Sequence, residues 1–227
     1  MFNTTIATQI YAKICFEATN GQKKIIENLS EYLSDDDFSR IFVLNGFAGT
    51  GKTTLIAALV AALKELRIKP VLLAPTGRAA KVLARYCGEQ ALTIHKRIYR
   101  QRTNADYESK FSLDFNREQG AVFIVDEASM LSDSTGDGAL FGSGSLLEDL
   151  VSYVRSGRSC RLILVGDSAQ LPPVGCDFSP ALDPATVSRY GEVVYGLMDE
   201  VVRQQMQSGI LFNATLVRCM LENRIYE

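Results

Sequence analysis

A glycine-rich segment, GFAGTGKTT at residues 46–54, constrains the fold of this chain more than any other feature. The apolar run at residues 41–44 precedes it and predicts a buried strand, while residues 55–66 follow it with a helical pattern. The order strand, loop and helix is the context in which G-x-x-x-x-G-K-[ST] binds phosphate. We therefore expect residues 46–54, called the phosphate loop below, to hold a nucleoside triphosphate.

The chemistry of this loop follows from its residue types. Glycines let the backbone turn tightly and bring its N–H groups to the phosphates, and the N-terminus of the next helix adds positive potential. Lys52 is placed to reach the β- and γ-phosphates, and the Thr53 hydroxyl is placed to ligate Mg²⁺. The predicted ligands are thus ATP and Mg²⁺. The predicted nucleotide-binding residues of the loop are Gly46, Ala48, Gly49, Thr50, Gly51, Lys52, Thr53 and Thr54.

Composition limits what else the chain can be. With 227 residues, of which 47% are hydrophobic, it has enough apolar side chains for one globular domain of generous size or two small ones, and of these we expect a single domain over residues 1–227. The net charge of −2 provides no bulk attraction to nucleic acid. Any binding of nucleic acid must therefore come from a local patch.

Cysteine spacing and hydropathy indicate the compartment. The five cysteines are scattered and form no C-x-x-C pair, which favours reduced thiols over disulfides or a zinc site. The N-terminus has no signal-peptide pattern, and the longest apolar run, residues 55–63, is about half the length of a membrane span. We expect a cytoplasmic protein without a membrane segment, and a monomer.

Apolar β-branched runs alternate with helical patterns along the chain. Strands are predicted at residues 41–45, 71–74, 122–125, 162–165 and 193–197. Helices are predicted at residues 21–33, 52–67, 77–86, 145–156 and 213–223. This alternation predicts an α/β fold with a mainly parallel sheet and helices on both faces.

Two segments interrupt the alternation. Residues 97–119 are polar, but Phe111, Leu113 and Phe115 recur at period two, which predicts a small inserted β-hairpin with its tip near residues 103–108. Residues 132–145 are rich in Gly, Ser and Asp and are predicted to form a mobile loop.

Two carboxylates follow the predicted strand at residues 122–125. At the carboxyl edge of a parallel sheet, Asp126 is placed to hold Mg²⁺ through water. Glu127 is placed to orient and deprotonate the water that attacks the γ-phosphate. An acidic pair after a strand is a weak signal alone, but it becomes strong when it follows a phosphate loop.

A further strand, at residues 162–165, leads into the segment GDSAQLPP at residues 166–173. The two prolines restrict the backbone of this loop, and Gln170 offers an amide at the same sheet edge. An amide can sense the γ-phosphate without acting as a competing base.

These motifs together resemble the first RecA-like domain of a superfamily 1B DNA helicase of the RecD/Dda-like group. The matching segments follow the family's order and run from about residue 16 almost to the C-terminus. They are GFAGTGKTT, APTGRAAKVL at residues 74–83, TIHK at residues 93–96, VDEASM at residues 125–130, VGDSAQLPPVG at residues 165–175 and DEVVRQ at residues 199–204.

The resemblance implies further roles at the ATP site. Gln22 would read the adenine edge, Gln170 would couple nucleotide state to DNA contact, and Arg203 would contact the γ-phosphate. The predicted catalytic residues are thus Lys52, Glu127, Gln170 and Arg203. The alternative for Gln22, a solvated helix residue, stays open.

The resemblance also implies a surface for single-stranded DNA. Pro75, Thr76, Gly77 and Arg78 would form part of its floor, with Thr93 and His95 nearby, and the insertion at residues 97–119 would act as a strand-separating pin. Two alternatives stay open. His95, the only histidine, can equally be a structural residue, and the basic residues Arg78, Lys81 and Arg85 can form a solvated helix face.

Family members continue into a second RecA-like domain that completes the ATP site, so this chain alone is expected to be an incomplete motor that binds single-stranded DNA weakly. The family implies five-to-three polarity and a role in repair or recombination. A different P-loop ATPase, a small-molecule kinase, and a DNA-binding module that keeps ATP as a structural ligand remain the competing interpretations.

Overall fold

The computed structural model describes residues 2–14, 17–103, 109–133 and 141–200. Its main sheet has six strands, which are β1 (Ile41–Gly46), β2 (Pro70–Ala74), β3 (Ala91–Thr93), β6 (Val122–Val125), β7 (Arg161–Gly166) and β8 (Val193–Met198). All strand pairs in it are parallel, in the order β3-β2-β6-β7-β1-β8. Strands β4 (Tyr99–Thr103) and β5 (Ser109–Leu113) form a separate antiparallel pair.

The helices cover both faces of this sheet. They are α1 (Phe2–Lys13), α2 (Asn20–Ser34), α3 (Lys52–Glu65), α4 (Gly77–Cys87), α5 (Ile94–Ile98), α6 (Leu146–Ser156) and α7 (Pro184–Val187). Alternate residues of β1 point to opposite sides: Phe42 and Leu44 pack under α1–α4, while Ile41 and Val43 pack under α5 and α6. The predicted α/β fold, with a mainly parallel sheet and helices on both faces, is confirmed.

The predicted strands and helices coincide with observed elements to within a few residues, except for the helix at residues 213–223, which lies outside the described residues. Four elements were not predicted from the sequence, namely α1, β3, α5 and α7. Helix α1 contributes Ile6 and Ile10 to the core and is otherwise rich in Thr and other weak helix formers, so packing rather than propensity holds it. Strand β3 has only three residues, too few for a recognisable pattern.

The β4–β5 pair lies within the segment at residues 97–119 and pairs Tyr99 with Leu113 and Gln101 with Phe111. Its predicted tip falls mostly on residues 104–108, which lie outside the described residues, as do residues 134–140 of the predicted loop. The described end of that loop is tied to the pair, because the Gly142 N–H donates to the Phe111 carbonyl at 2.9 Å.

Within the described ranges, no helix has the length and apolar character needed to cross a bilayer.

Candidate nucleotide-binding site

Three neighbouring strands, β6, β7 and β1, end at one edge of the sheet and bring the sequence motifs together. Strand β1 delivers the phosphate loop, β6 delivers Asp126 and Glu127, and β7 delivers residues 167–170, called the Gln170 turn below. An open cavity of about 410 Å³ lies between them. Its lining consists of Phe47, Ala48, Gly49, Gly51, Lys52, Thr53, Thr54, Tyr86, Asp126, Glu127, Gly166 and Gln170.

The phosphate loop owes its shape to backbone that only glycine adopts readily. Gly49 has φ +80° and Gly51 has φ +89°, and Gly51 is the residue that caps the start of α3. Between them Thr50 is fully buried, and its hydroxyl donates to the Phe47 carbonyl at 2.8 Å. The loop is therefore fixed from inside, while its outer side faces the cavity.

Lys52 lies folded back on the loop that carries it. Its ammonium group donates to the Gly46 carbonyl and, at 2.9 Å, to the Phe47 carbonyl. It also lies 4.0 Å from a carboxylate oxygen of Asp167, which is only 1% exposed. The cation thus sits at the cavity wall, held by oxygen atoms.

The two carboxylates at the end of β6 interact with each other. Burial and the adjacent charge of Glu127 raise the pKa of Asp126 to about 6. Glu127 has φ +55°, a left-handed conformation that is rare outside glycine and costs about 1–3 kcal/mol. A carboxyl whose charge is disfavoured in the free protein, as that of Asp126 is, suits a divalent cation, because the cation would favour the ionised form.

The Gln170 turn is held by its own side chains and by the segment after β6. A carboxylate oxygen of Asp167 accepts from the Ala169 N–H at 3.0 Å, and the Gln170 N–H donates to the Asp167 carbonyl at 3.1 Å. The exposed Gln170 side chain accepts from the Ser129 hydroxyl at 3.4 Å. Gln170 is thereby linked to the segment that begins with Asp126 and Glu127.

Gln22 does not line the cavity. It is 3% exposed, its amide N–H donates to the Thr50 carbonyl at 3.0 Å, and its amide oxygen accepts from the Thr19 N–H at 3.1 Å. In this arrangement Gln22 caps α2 and supports the phosphate loop from behind, so it is not the solvated helix residue of the alternative. Its contact with adenine stays a prediction, and Arg203 lies outside the described residues.

Two residues at this edge were not predicted from the sequence. Tyr86, on α4, lines the cavity and is 63% exposed, and no pattern in the sequence marks it. Asn45 is 6% exposed and contacts the Gln170 turn. Its signal was available, because it is a polar residue at the end of the otherwise apolar run IFVL.

The residues predicted to contact DNA come from two neighbouring strands. Ala74 of β2 pairs with Thr93 of β3, so the segments that follow these strands start side by side. Thr76, Gly77 and Arg78 are exposed, and the space beside Gly77 is open; Pro75 is partly exposed. Thr76 and Thr93 accept from the N–H groups of Ala79 and Lys96 and thereby cap α4 and α5.

His95 packs in an aromatic cluster rather than standing free. Its ring centroid is 5.0 Å from that of Phe141 and 5.6 Å from that of Tyr99. Phe111 stacks on Phe141 at 4.5 Å. We call His95, Tyr99, Phe111 and Phe141 the aromatic anchor, because they join β4 and β5 to α5 and to the loop before α6. This packing favours the structural interpretation of His95, although the ring remains partly exposed.

Comparisons with known proteins agree with this geometry. A family model described as an AAA domain matches residues 17–211. The ATP-dependent RecD2 DNA helicase of Deinococcus radiodurans is 31% identical over 154 residues, which cover 68% of this chain and 19% of that protein. The ATP-dependent DNA helicase dda of Enterobacteria phage T4 is 31% identical over 163 residues, covering 70% of this chain and 33% of that protein.

Solved structures show the same fold. The Pif1 helicase from Bacteroides in complex with ADP-AlF3 and ssDNA superimposes with a TM-score of 0.55 at 18% identity, over 87% of this chain and 45% of that one. This chain therefore spans between a fifth and a half of the length of these proteins. Together the match over residues 17–211 and the named relatives show that the chain belongs to the AAA domain family, in the RecD-like group of superfamily 1 helicases.

Proposed function

We propose that this chain is the ATP-binding and ATP-hydrolysing motor domain of an ATP-dependent DNA helicase. The observation that carries the proposal is the convergence of three motifs on one cavity. Lys52, the acidic pair Asp126 and Glu127, and Gln170 reach it from three neighbouring strands. A cavity with a cation on one wall and carboxylates on another suits a magnesium nucleotide.

Nucleotide binding would begin with a movement of Lys52. Its ammonium group now donates to two carbonyl oxygens of the phosphate loop. The β- and γ-phosphates carry full charge and are stronger acceptors than carbonyl oxygens, so they would draw the ammonium group away. The backbone N–H groups of the phosphate loop, which turns at Gly49 and Gly51, would then donate hydrogen bonds to the phosphates.

Mg²⁺ fits two residues that line the cavity, Thr53 and Asp126. The Thr53 hydroxyl and the Asp126 carboxylate would hold it, Asp126 through water. The ion would supply charge neutralisation at the β- and γ-phosphates. The pKa of Asp126, raised to about 6, agrees with this assignment because a carboxyl that resists ionisation alone is stabilised as an anion by a divalent ion.

Glu127 would accept the proton of the attacking water. Glu127 lines the cavity and follows Asp126 directly, and its left-handed backbone is the type of strain found at functional positions. Gln170 would sense the γ-phosphate as an amide donor, and Arg203 would supply a second cation there. Both roles remain part of the proposal.

DNA would cross the surface formed by Thr76, Gly77, Arg78 and Thr93, which neighbouring strands bring to one place. We propose weak binding of single-stranded DNA by this chain, five-to-three movement in the complete protein, and a role in DNA repair or recombination. With few phosphates contacted, the salt dependence would be shallow, since each neutralised phosphate adds about 0.7 to the log–log slope.

ATP hydrolysis with and without single-stranded DNA tests the proposal. We expect Mg²⁺-dependent nucleotide binding by calorimetry, and loss of most of it in Lys52→Ala. Lys64→Ala is the matched control, because Lys64 lies on the same helix but pairs with Glu89 on the surface. Nucleotide affinity that is the same in wild type and Lys52→Ala would contradict the assignment. Transfer of phosphate to a small molecule would favour a kinase instead.

Unwinding is proposed for the complete protein, since the chain spans only 19% and 33% of the two helicases named above. We expect residues 1–227 alone to give no strand displacement on a tailed duplex. Addition of a second RecA-like domain should restore it and should restore DNA-stimulated turnover. Robust unwinding by residues 1–227 alone would show that the second domain is not required.

A further inference from the structure

Asn45 lies in β1, next to the phosphate loop and between two neighbouring strands of the sheet. It is the last residue but one of β1, directly before Gly46, and its side chain is buried although it lines no part of the cavity. The sheet order places β7 on one side of β1 and β8 on the other. A polar side chain at this position can therefore connect the phosphate loop to both neighbours.

The amide of Asn45 makes three hydrogen bonds that use both ends of the group. Its oxygen accepts from the Ser168 N–H at 3.0 Å, and its nitrogen donates to the Ser168 hydroxyl at 2.9 Å. The nitrogen also donates to the Tyr195 hydroxyl at 3.0 Å. Only an amide offers an acceptor and two donors on so short a side chain, so no other residue type can replace all three bonds.

Ser168 is the second residue of the Gln170 turn. The hydrogen bonds that the Ala169 and Gln170 N–H groups donate to Asp167 make this turn a compact unit. Asn45 makes hydrogen bonds to two atoms of Ser168 and thereby fixes the position of the Gln170 turn relative to Lys52. Tyr195 in turn fixes Asn45 to β8, whose last residue, Met198, accepts from the Phe47 N–H at 3.0 Å.

We infer that Asn45, with Ser168 and Tyr195, is a positioning unit that sets the Gln170 turn against the phosphate loop, so that the γ-phosphate is recognised. These residues touch no nucleotide and act through Gln170. The inference rests on the proposed function, because it presupposes that ATP occupies the cavity. It predicts that the unit matters for ATP and not for ADP, which lacks the phosphate that Gln170 senses.

The test is the ratio of the affinities for a non-hydrolysable ATP analogue and for ADP, measured by calorimetry with Mg²⁺ on the 227-residue chain. Asn45→Ala should lower this ratio about tenfold, the effect of one to two hydrogen bonds, while ADP affinity stays within about twofold. Tyr195→Phe removes one hydroxyl from a partly exposed residue and should lower the ratio by about two- to fivefold. Tyr195→Phe therefore tests the inference even if Asn45→Ala does not fold.

Asn116→Ala is the matched control for a general loss of stability. Asn116 is also buried and also bonds through both ends of its amide, to the Glu118 N–H and the Val154 carbonyl, but it lies away from the cavity. In Asn116→Ala the ratio of the affinities for the ATP analogue and for ADP should equal that of wild type. An unchanged ratio in both Asn45→Ala and Tyr195→Phe would overturn the inference and leave the proposed function intact. A wild-type chain that binds neither nucleotide would overturn the proposed function, and the inference with it.

Discussion

The cavity edge and the aromatic anchor are built on opposite principles. At the cavity edge, glycine turns and short polar side chains shape the backbone, and carboxylates and a cation face an opening. At the anchor, four rings pack against one another, and a single buried carboxylate, Asp149, accepts from the Tyr99 hydroxyl at 2.6 Å and from the Ser143 N–H at 3.0 Å.

This difference separates chemistry from support. The cavity edge holds a carboxyl, Asp126, whose negative charge is disfavoured in the free protein and would be stabilised by a bound cation. The anchor holds a carboxylate whose partners are already present, so it has nothing to gain from a ligand. Substitutions at the cavity edge should therefore change activity, and substitutions at the anchor should change stability.

The largest expected effect is on catalysis. Glu127→Gln keeps the shape of the side chain but removes the base, so hydrolysis should fall about 10²- to 10⁴-fold with nucleotide affinity retained. The comparison is made by steady-state turnover and calorimetry on the same preparations, in the complete protein if this chain turns over slowly. Equal turnover in wild type and variant would remove Glu127 from its role and would break the distinction between the two regions.

A smaller effect is expected at the anchor, and on stability alone. Gly142 has φ +45°, and a Cβ there would lie 1.9 Å from a carboxylate oxygen of Asp149. Gly142→Ala should therefore cost about 2–4 kcal/mol in urea unfolding, from backbone strain and the displaced carboxylate together. Gly88→Ala separates the two causes, because Gly88 also has positive φ, at +62°, but open space around it.

The Gly88 variant should lose only about 1 kcal/mol, the cost of the left-handed backbone. In both glycine variants the affinity for nucleotide, once corrected for the unfolded fraction, should equal that of wild type. A loss of affinity specific to Gly142→Ala would show that the anchor participates in the nucleotide site after all.

The two regions also differ in how far the sequence predicts them. The phosphate loop, Asp126 and Gln170 were located from local patterns, because each follows an apolar strand and parallel strands end at a common edge. The anchor was not. Phe141 meets Phe111, and Asp149 meets Tyr99, across long stretches of chain, and no local spacing encodes such contacts.

Within the site, the same limit applies to individual side chains. The contact of Gln22 with adenine stays a prediction, but its contact with the Thr50 carbonyl was not predicted, because it depends on how α2 packs behind the loop. Asn45 was overlooked because its partners come next to β1 only in the folded sheet: Ser168 follows β7, and Tyr195 lies on β8.

The smallest expected effect is in the pH dependence of stability, where the two regions should have opposite signs. Burial lowers the pKa of His95 from its ordinary value of 6.5, so the unfolded chain binds more protons than the folded one, and stability falls as pH drops through about 6.5. The pKa of Asp126 is raised to about 6, so the folded chain binds more protons, and stability rises as pH drops through that value. In the wild type the two contributions partly cancel.

Single variants should separate these contributions. Between about pH 7.5 and pH 5.5, where ordinary carboxyls stay ionised, Asp126→Asn should retain only the His95 contribution, and its melting temperature should fall on acidification relative to wild type. His95→Gln should retain only the Asp126 contribution, and its melting temperature should rise on acidification relative to wild type. Saturating Mg²⁺ and nucleotide should abolish that rise, because the cation favours the ionised carboxylate. The prediction fails if the melting temperatures of wild type, Asp126→Asn and His95→Gln change with pH in the same way. Such a result would show that neither the pKa of His95 nor that of Asp126 is shifted as the structure implies.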